Sequence, residues 1–148
     1  MLGKWLQKRD RRPIDEKESL QHSLLVTLSA LAQTKDEQLA YVGIGCAVCD
    51  LYQDFDTFGA RLYIEADHTY EQNQAVIELR GMISAFVNTE HECFDPEGLE
   101  RTDWSAIRVQ AERALNLFGF KLTALPRPIE IHPGFWNTDI QSHKLHPL

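Results

Sequence analysis

The sequence predicts a mainly α fold, a bundle of four to five helices followed by an extended, Pro-rich C-terminal tail. Three observations carry this prediction. Apolar residues recur at three- and four-residue spacing over several long stretches, the signature of amphipathic helices. Two capping-box patterns, Thr34-Lys-Asp-Glu37 and Thr69-Tyr-Glu-Gln72, stand where helices would begin. Four of the prolines (Pro126, Pro128, Pro133 and Pro147) crowd the end of the chain, where they disfavour helix.

Residues 1–12 form a basic arm, with Lys4, Lys8, Arg9, Arg11 and Arg12 against Asp10, and with Leu2, Trp5 and Leu6 at helical spacing. Pro13 suits the first turn of a helix, and Asp15, Glu16 and Glu18 suit its positive end. Leu20, Leu24, Leu25, Leu28, Leu31 and Ala32 then make one apolar stripe, predicting a helix from about Ile14 to Gln33. The first capping box opens a second helix, expected from Lys35 to about Tyr52. It runs through Leu39–Cys49, a segment with no charged or amide side chain and the expected centre of the core. The alternative is an α+β fold with a hairpin at 41–66, because Ala60, Leu62, Ile64 and Ala66 alternate with polar or larger neighbours.

The second capping box predicts a helix from Tyr70 to about Glu90, burying Asn73, Val76, Ile77, Arg80, Ile83 and Val87 with Leu79 and Phe86 at the edges. Asp95-Pro96 and Gly98 mark a loop. Thr102 is expected to cap a last helix carrying Trp104, Ile107, Arg108, Ala111, Ala114, Leu115 and Phe118, which Gly119 ends. The organisation is thus an arm at 1–12, a helical domain at 13–124 and a tail at 125–148, with Ile129, Ile131, Phe135 and Trp136 as expected anchors of the tail.

The 148 residues suffice for one core without disulfides or metal, and 43% hydrophobic with 25% charged residues is ordinary for a globular protein. Three cysteines, an odd number, argue against a closed disulfide framework, and no signal peptide is evident, so a cytoplasmic chain with reduced thiols is expected. Beyond the arm there are 10 basic against 21 acidic residues. A body this acidic repels nucleic acid and anionic membrane, leaving residues 1–12 as the only expected membrane contact.

Candidate chemistry is sparse. Cys46-Ala-Val-Cys49 with His91-Glu-Cys93 has ligand types that suit tetrahedral zinc. The apolar surroundings and the expected mid-helix position instead favour buried core thiols. Glu65-Ala-Asp-His68 is half of a dimetal-bundle motif, with Glu18 and His22 one turn apart as the other possible contribution. Gly43-Ile-Gly45 lacks the strand–turn–helix context of a dinucleotide site, and no Walker lysine, nucleophile elbow or calcium loop is present. Two acidic clusters remain, Asp50, Asp54 and Asp56 in one, and six carboxylates between Glu90 and Asp103 in the other. The second flanks Phe94.

The expected function is that of a small, acidic, non-enzymatic binding or regulatory protein without a cofactor. It would dock a protein partner, a basic one by charge, through Glu92, Phe94, Asp95, Glu97 and Glu100. One alternative is a metal- or thiol-dependent protein using Cys46, Cys49, His91 and Cys93. Another is a peripheral membrane or assembly protein using the arm, and self-association is compatible with each.

Overall fold

The computed structural model describes residues 14–65, 68–89, 91–140 and 143–148. The basic arm, and with it any membrane contact of residues 1–12, lies outside the described residues. So does Glu90. The described chain is mainly helical: α1 (Ile14–Ala32), α2 (Lys35–Val42), α3 (Ala47–Glu65), α4 (Tyr70–Thr89), a 3-10 turn (Pro96–Glu100) and α5 (Thr102–Leu117). Short strands β1 (Phe120–Lys121), β2 (Ile129–His132), β3 (Phe135–Asn137) and β4 (His146–Pro147) follow. Residues 47–65 are helical, and the hairpin lies in the tail.

The centre of the core is α1, not the Leu39–Cys49 segment. Every residue from Ser23 to Gln33 is buried, so this half of the helix is enclosed on all sides rather than along one stripe. It lies against α3 and α5, while α4 packs on both of those. Burial on this scale is possible because the polar members of α1 have partners. Thr27 Oγ1 donates to the Ser23 carbonyl at 2.8 Å, and Ser29 and Gln33 both reach the Thr123 carbonyl beyond β1. Each fully enclosed leucine, such as Leu24, Leu28 or Leu31, contributes roughly 1.5–3 kcal/mol.

Thr34 caps α2 as expected, its Oγ1 accepting from the Glu37 N–H. The Glu37 carboxylate turns away to pair with Arg127 at 2.9 Å, so only half of the capping box forms. One turn later Gln38 is completely buried with its amide fully used. Its Nε2 donates to the Ala30 and Leu31 carbonyls at the end of α1, and its Oε1 accepts from Trp104 Nε1 and Arg108. A neutral amide thus ties α1, α2 and α5 together at one point.

The second capping box is complete. Thr69 N–H donates to Gln72 Oε1 at 2.9 Å and Gln72 N–H to Thr69 Oγ1 at 3.1 Å. The buried face of α4 is rotated from the expected one: Leu79 and Phe86 lie at its centre, while Ile77 and Arg80 face outward. Arg80 pairs with Asp56 of α3 at 2.8 Å, which gives an arginine at that position a surface role. In α5, Trp104, Ile107, Ala111, Ala114 and Leu115 are buried as expected, and Gly119 at φ 93° ends the helix. Arg101, one residue earlier than expected, takes the capping position.

Leu125 is the buried anchor of the tail. The four anchors expected from sequence are exposed instead: Ile129, Ile131, Phe135 and Trp136 sit on a two-stranded hairpin. The end of the chain returns to the bundle, where β4 pairs with β1 and Leu148 N–H donates to the Gly119 carbonyl. His22 Nε2 donates to the Ile140 carbonyl at 3.0 Å. Burial, with His22 and His146 nearby, holds His143 below the usual histidine range, against an opposing hydrogen bond at the Ala124 backbone. A depressed histidine favours its neutral form in the folded state, so its contribution is present above about pH 6.5 and fades as pH falls below that. Amide exchange at Lys121 and Leu148 is therefore expected to lose protection on acidification before that of Ala111 does. Equal losses at all three sites would mean that His143 does not govern the pairing of β4 with β1.

Candidate metal centre

The expected long helix through residues 35–52 is broken. Gly43 at φ 69° ends α2, its N–H donating to the Leu39 carbonyl, and Gly45 takes φ 143°. Side-chain-bearing residues rarely adopt either conformation, so this turn requires its glycines. Ile44 between them is 83% exposed, which removes the Gly43–Gly45 turn from the core.

A new helix then starts at Ala47. The Cys46 carbonyl accepts the first helical hydrogen bond, from Asp50 N–H at 2.9 Å, which places Cys46 at the N-cap and Cys49 in the first turn. The two cysteines are therefore not mid-helix, as the sequence reading had them, but at the positive end of α3.

The other two residues arrive by length matching. The 19-residue α3 and the 20-residue α4 are joined across residues 66–69 and pack against each other. The end of α4 thus returns to the start of α3, with His91–Cys93 beside Cys46–Cys49. A turn closed by Asp95 N–H to the Glu92 carbonyl shapes this loop. Asp95 caps the 3-10 turn by accepting from Glu97 N–H at 3.0 Å, and the buried Leu99 fixes it to the core.

Cys46, Cys49, His91 and Cys93 offer one ligand atom each, all within 4.8 Å of one another. Cys49 Sγ is 3.8 Å from Cys93 Sγ and 3.1 Å from His91 Nε2, and Cys46 Sγ is 3.5 Å from the same nitrogen. With Zn–S and Zn–N bonds of about 2.3 and 2.0 Å, a tetrahedron has edges of about 3.8 Å between sulfurs and about 3.5 Å from sulfur to nitrogen. The Cys49–Cys93 and Cys46–His91 separations match these edges, the Cys49–His91 separation is shorter, and no pair exceeds 4.8 Å. Cys46 is buried, Cys49 and His91 are half-buried, and Cys93 is exposed, so the expectation of buried thiols holds for Cys46 alone.

Phe94 N–H donates to Cys46 Sγ at 3.3 Å, made possible by the positive φ of 63° at Phe94. Burial pushes the Cys46 thiol up, but hydrogen bonds from the backbone N–H groups of Phe94, Cys49 and Val48 and from the Cys49 side chain together outweigh it and hold the group below its ordinary value. Burial and the neighbouring sulfurs of Cys46 and Cys93 push Cys49 up to about 12. His91 stacks on Phe86, with ring centroids 6.5 Å apart. Its Nδ1 is buried without a hydrogen-bond partner, so ring packing alone sets the orientation of the imidazole.

Among the described residues, the other sequence-predicted groups do not assemble. His68 lies edge-on to Phe118, and His22 is engaged with Ile140, so the half-motif at 65–68 gains no second histidine. Asp54 and Asp50 line a recess with Tyr41, and burial raises both carboxyls, while Asp56 is taken by Arg80. In the acidic loop Glu92 and Glu97 are exposed, Phe94 is 74% exposed, Asp95 caps the turn and Glu100 pairs with Lys35 at 3.2 Å. Sequence reading missed the Phe94 N–H, and no residue-type pattern announces a backbone donor. Among the described residues, no helix is long and apolar enough to cross a membrane. No family model, curated protein or solved structure matches this chain.

Proposed function

We propose that this chain is a zinc-binding helical protein in which Cys46, Cys49, His91 and Cys93 hold a single tetrahedral ion. The observation that supports this reading is the convergence of four ligand atoms from two segments more than forty residues apart in sequence. Four donors gathered around one point suit a mononuclear site better than an iron–sulfur cluster, whose protein ligands are distributed over two or more irons and stand farther apart. No fifth, open position is implied, so the ion has a structural role: it ties the start of α3 to the loop after α4. Native mass spectrometry of the reduced protein is expected to find one zinc per chain, and Cys49→Ala is expected to lose it. A reduced wild-type chain that takes up no zinc from a stoichiometric supply would overturn the assignment.

Partner docking is a second reading, favoured by the exposure of Phe94 beside Glu92 and Glu97 on the loop that the ion would hold. A large exposed aromatic with carboxylates around it suits a basic partner carrying an apolar anchor. Capture of such a partner from host extract is expected to be lost in Phe94→Ala and weakened in Glu92→Lys with Glu97→Lys. Undiminished capture by both variants would place the binding face elsewhere.

A further inference from the structure

The four ligands are not equivalent, and their inequality has a direction. Cys46 is buried, and its sulfur accepts a hydrogen bond from Phe94 N–H. Cys93 is exposed, and its sulfur lies 3.8 Å from that of the half-buried Cys49. An oxidant arriving from solvent meets Cys93 first. The sulfur placed to react with the oxidised Cys93 is that of Cys49. A disulfide needs its sulfurs at about 2.05 Å, and side-chain rotation can close much of the remaining gap because each cysteine lies on a separate segment.

We propose that the centre is a peroxide-responsive zinc switch, in which oxidation joins Cys49 to Cys93 and releases the ion; this rests on the four residues being zinc ligands. The chemistry balances in two steps. The Cys93 thiolate attacks one oxygen of hydrogen peroxide and the O–O bond breaks. This leaves a sulfenic acid on Cys93 and a hydroxide that takes up a proton to become water. The Cys49 thiolate then attacks the Cys93 sulfur, the S–S bond forms, and the departing hydroxide is protonated to a second water. Two electrons pass from the sulfurs to the peroxide. The ion keeps only Cys46 and His91, which is too few ligands to retain it.

The selectivity distinguishes this from general thiol oxidation. Cys46 and Cys49 are the closer pair in sequence, yet the bridge is expected between Cys49 and Cys93. The geometry also gives the switch an unusual output. The bond that forms joins the same two segments that the ion joined, so the loop stays attached to α3 while zinc leaves. Oxidation thus changes metal occupancy without freeing the loop.

The test treats the zinc-loaded, reduced full chain with stoichiometric hydrogen peroxide, follows zinc with a colorimetric chelator, and maps the bridge by peptide mass spectrometry. Expected are release of the bound zinc, a loss of two hydrogens in mass, a Cys49–Cys93 cross-link, and renewed zinc uptake after thiol reduction. Cys46→Ser retains both reacting sulfurs and is expected to form the same cross-link even without zinc, which removes dependence on a metal-loaded variant. Zinc that stays bound under peroxide, or a bridge between Cys46 and Cys49, overturns the switch and leaves the zinc assignment standing. A reduced wild-type chain that takes up no zinc overturns both.

Discussion

Replacing Gln38 with leucine is expected to destabilise the fold by about 3–5 kcal/mol, although the substitution nearly preserves volume and adds apolar character. The reason is what the amide leaves behind. Its loss strands the Leu31 carbonyl, the Trp104 indole N–H and one Arg108 contact, while the Ala30 carbonyl keeps the Gln33 N–H. Trp104 is fully buried, so no water replaces the lost acceptor at its ring nitrogen. Each buried polar group left unpaired costs roughly 1–3 kcal/mol, more where charge is involved. Arg108 keeps its bond to the Leu99 carbonyl, which limits the penalty there. Urea unfolding of Gln38→Leu against wild type measures the effect. A loss below about 1 kcal/mol would show that the amide is one contact among many rather than the junction of three helices.

Removing zinc is expected to lower the melting temperature by roughly 10 °C, given that each kcal/mol shifts a domain of this size by about 2–4 °C. An ion that binds only the folded chain adds about 4 kcal/mol when free metal exceeds the dissociation constant about a thousandfold. The effect should be local as well as global. Bound zinc would hold the loop from His91 to Glu100 to α3, while Leu99, whose carbonyl accepts from Arg108, holds it to α5. Chelation should therefore raise hydrogen exchange at Phe94, whose N–H bonds Cys46 Sγ, before it does so at Ala111 inside α5. A melting curve that chelator leaves in place, in protein shown to carry zinc, would mean that the ion does not stabilise the fold.

The elements that were legible in the sequence are those specified by neighbours in the chain. Thr69 and Gln72 formed the reciprocal cap their spacing implied, and Gly119 stopped α5 where a left-handed residue was needed. The all-round burial of α1 was hidden because Ser23, Thr27 and Ser29 interrupt its apolar face. The partner that makes Ser29 tolerable, the Thr123 carbonyl, lies 94 residues away. The break at Gly43–Gly45 was present in the residue types. Thr34 can start a helix but says nothing of where it ends, and an apolar run reads the same whether continuous or kinked. The candidate centre was visible as four residues of suitable type. Their meeting depends on α3 and α4 having nearly equal lengths, and near-equal helices joined by a short connection would have been the signal to use.

The enclosure of α1 also bears on how the chain matures during translation. Its two principal neighbours are α3 and α5, and α5 is the last helix to leave the ribosome among those described. Synthesis proceeds at roughly 5–20 residues per second, so the leucines of α1 wait several seconds for the helix that covers them. During that interval α3 can shield only part of the surface from Ser23 to Gln33. A nascent chain stalled before Thr102 would expose the most enclosed of the described helices on one side, and that bare apolar surface favours aggregation.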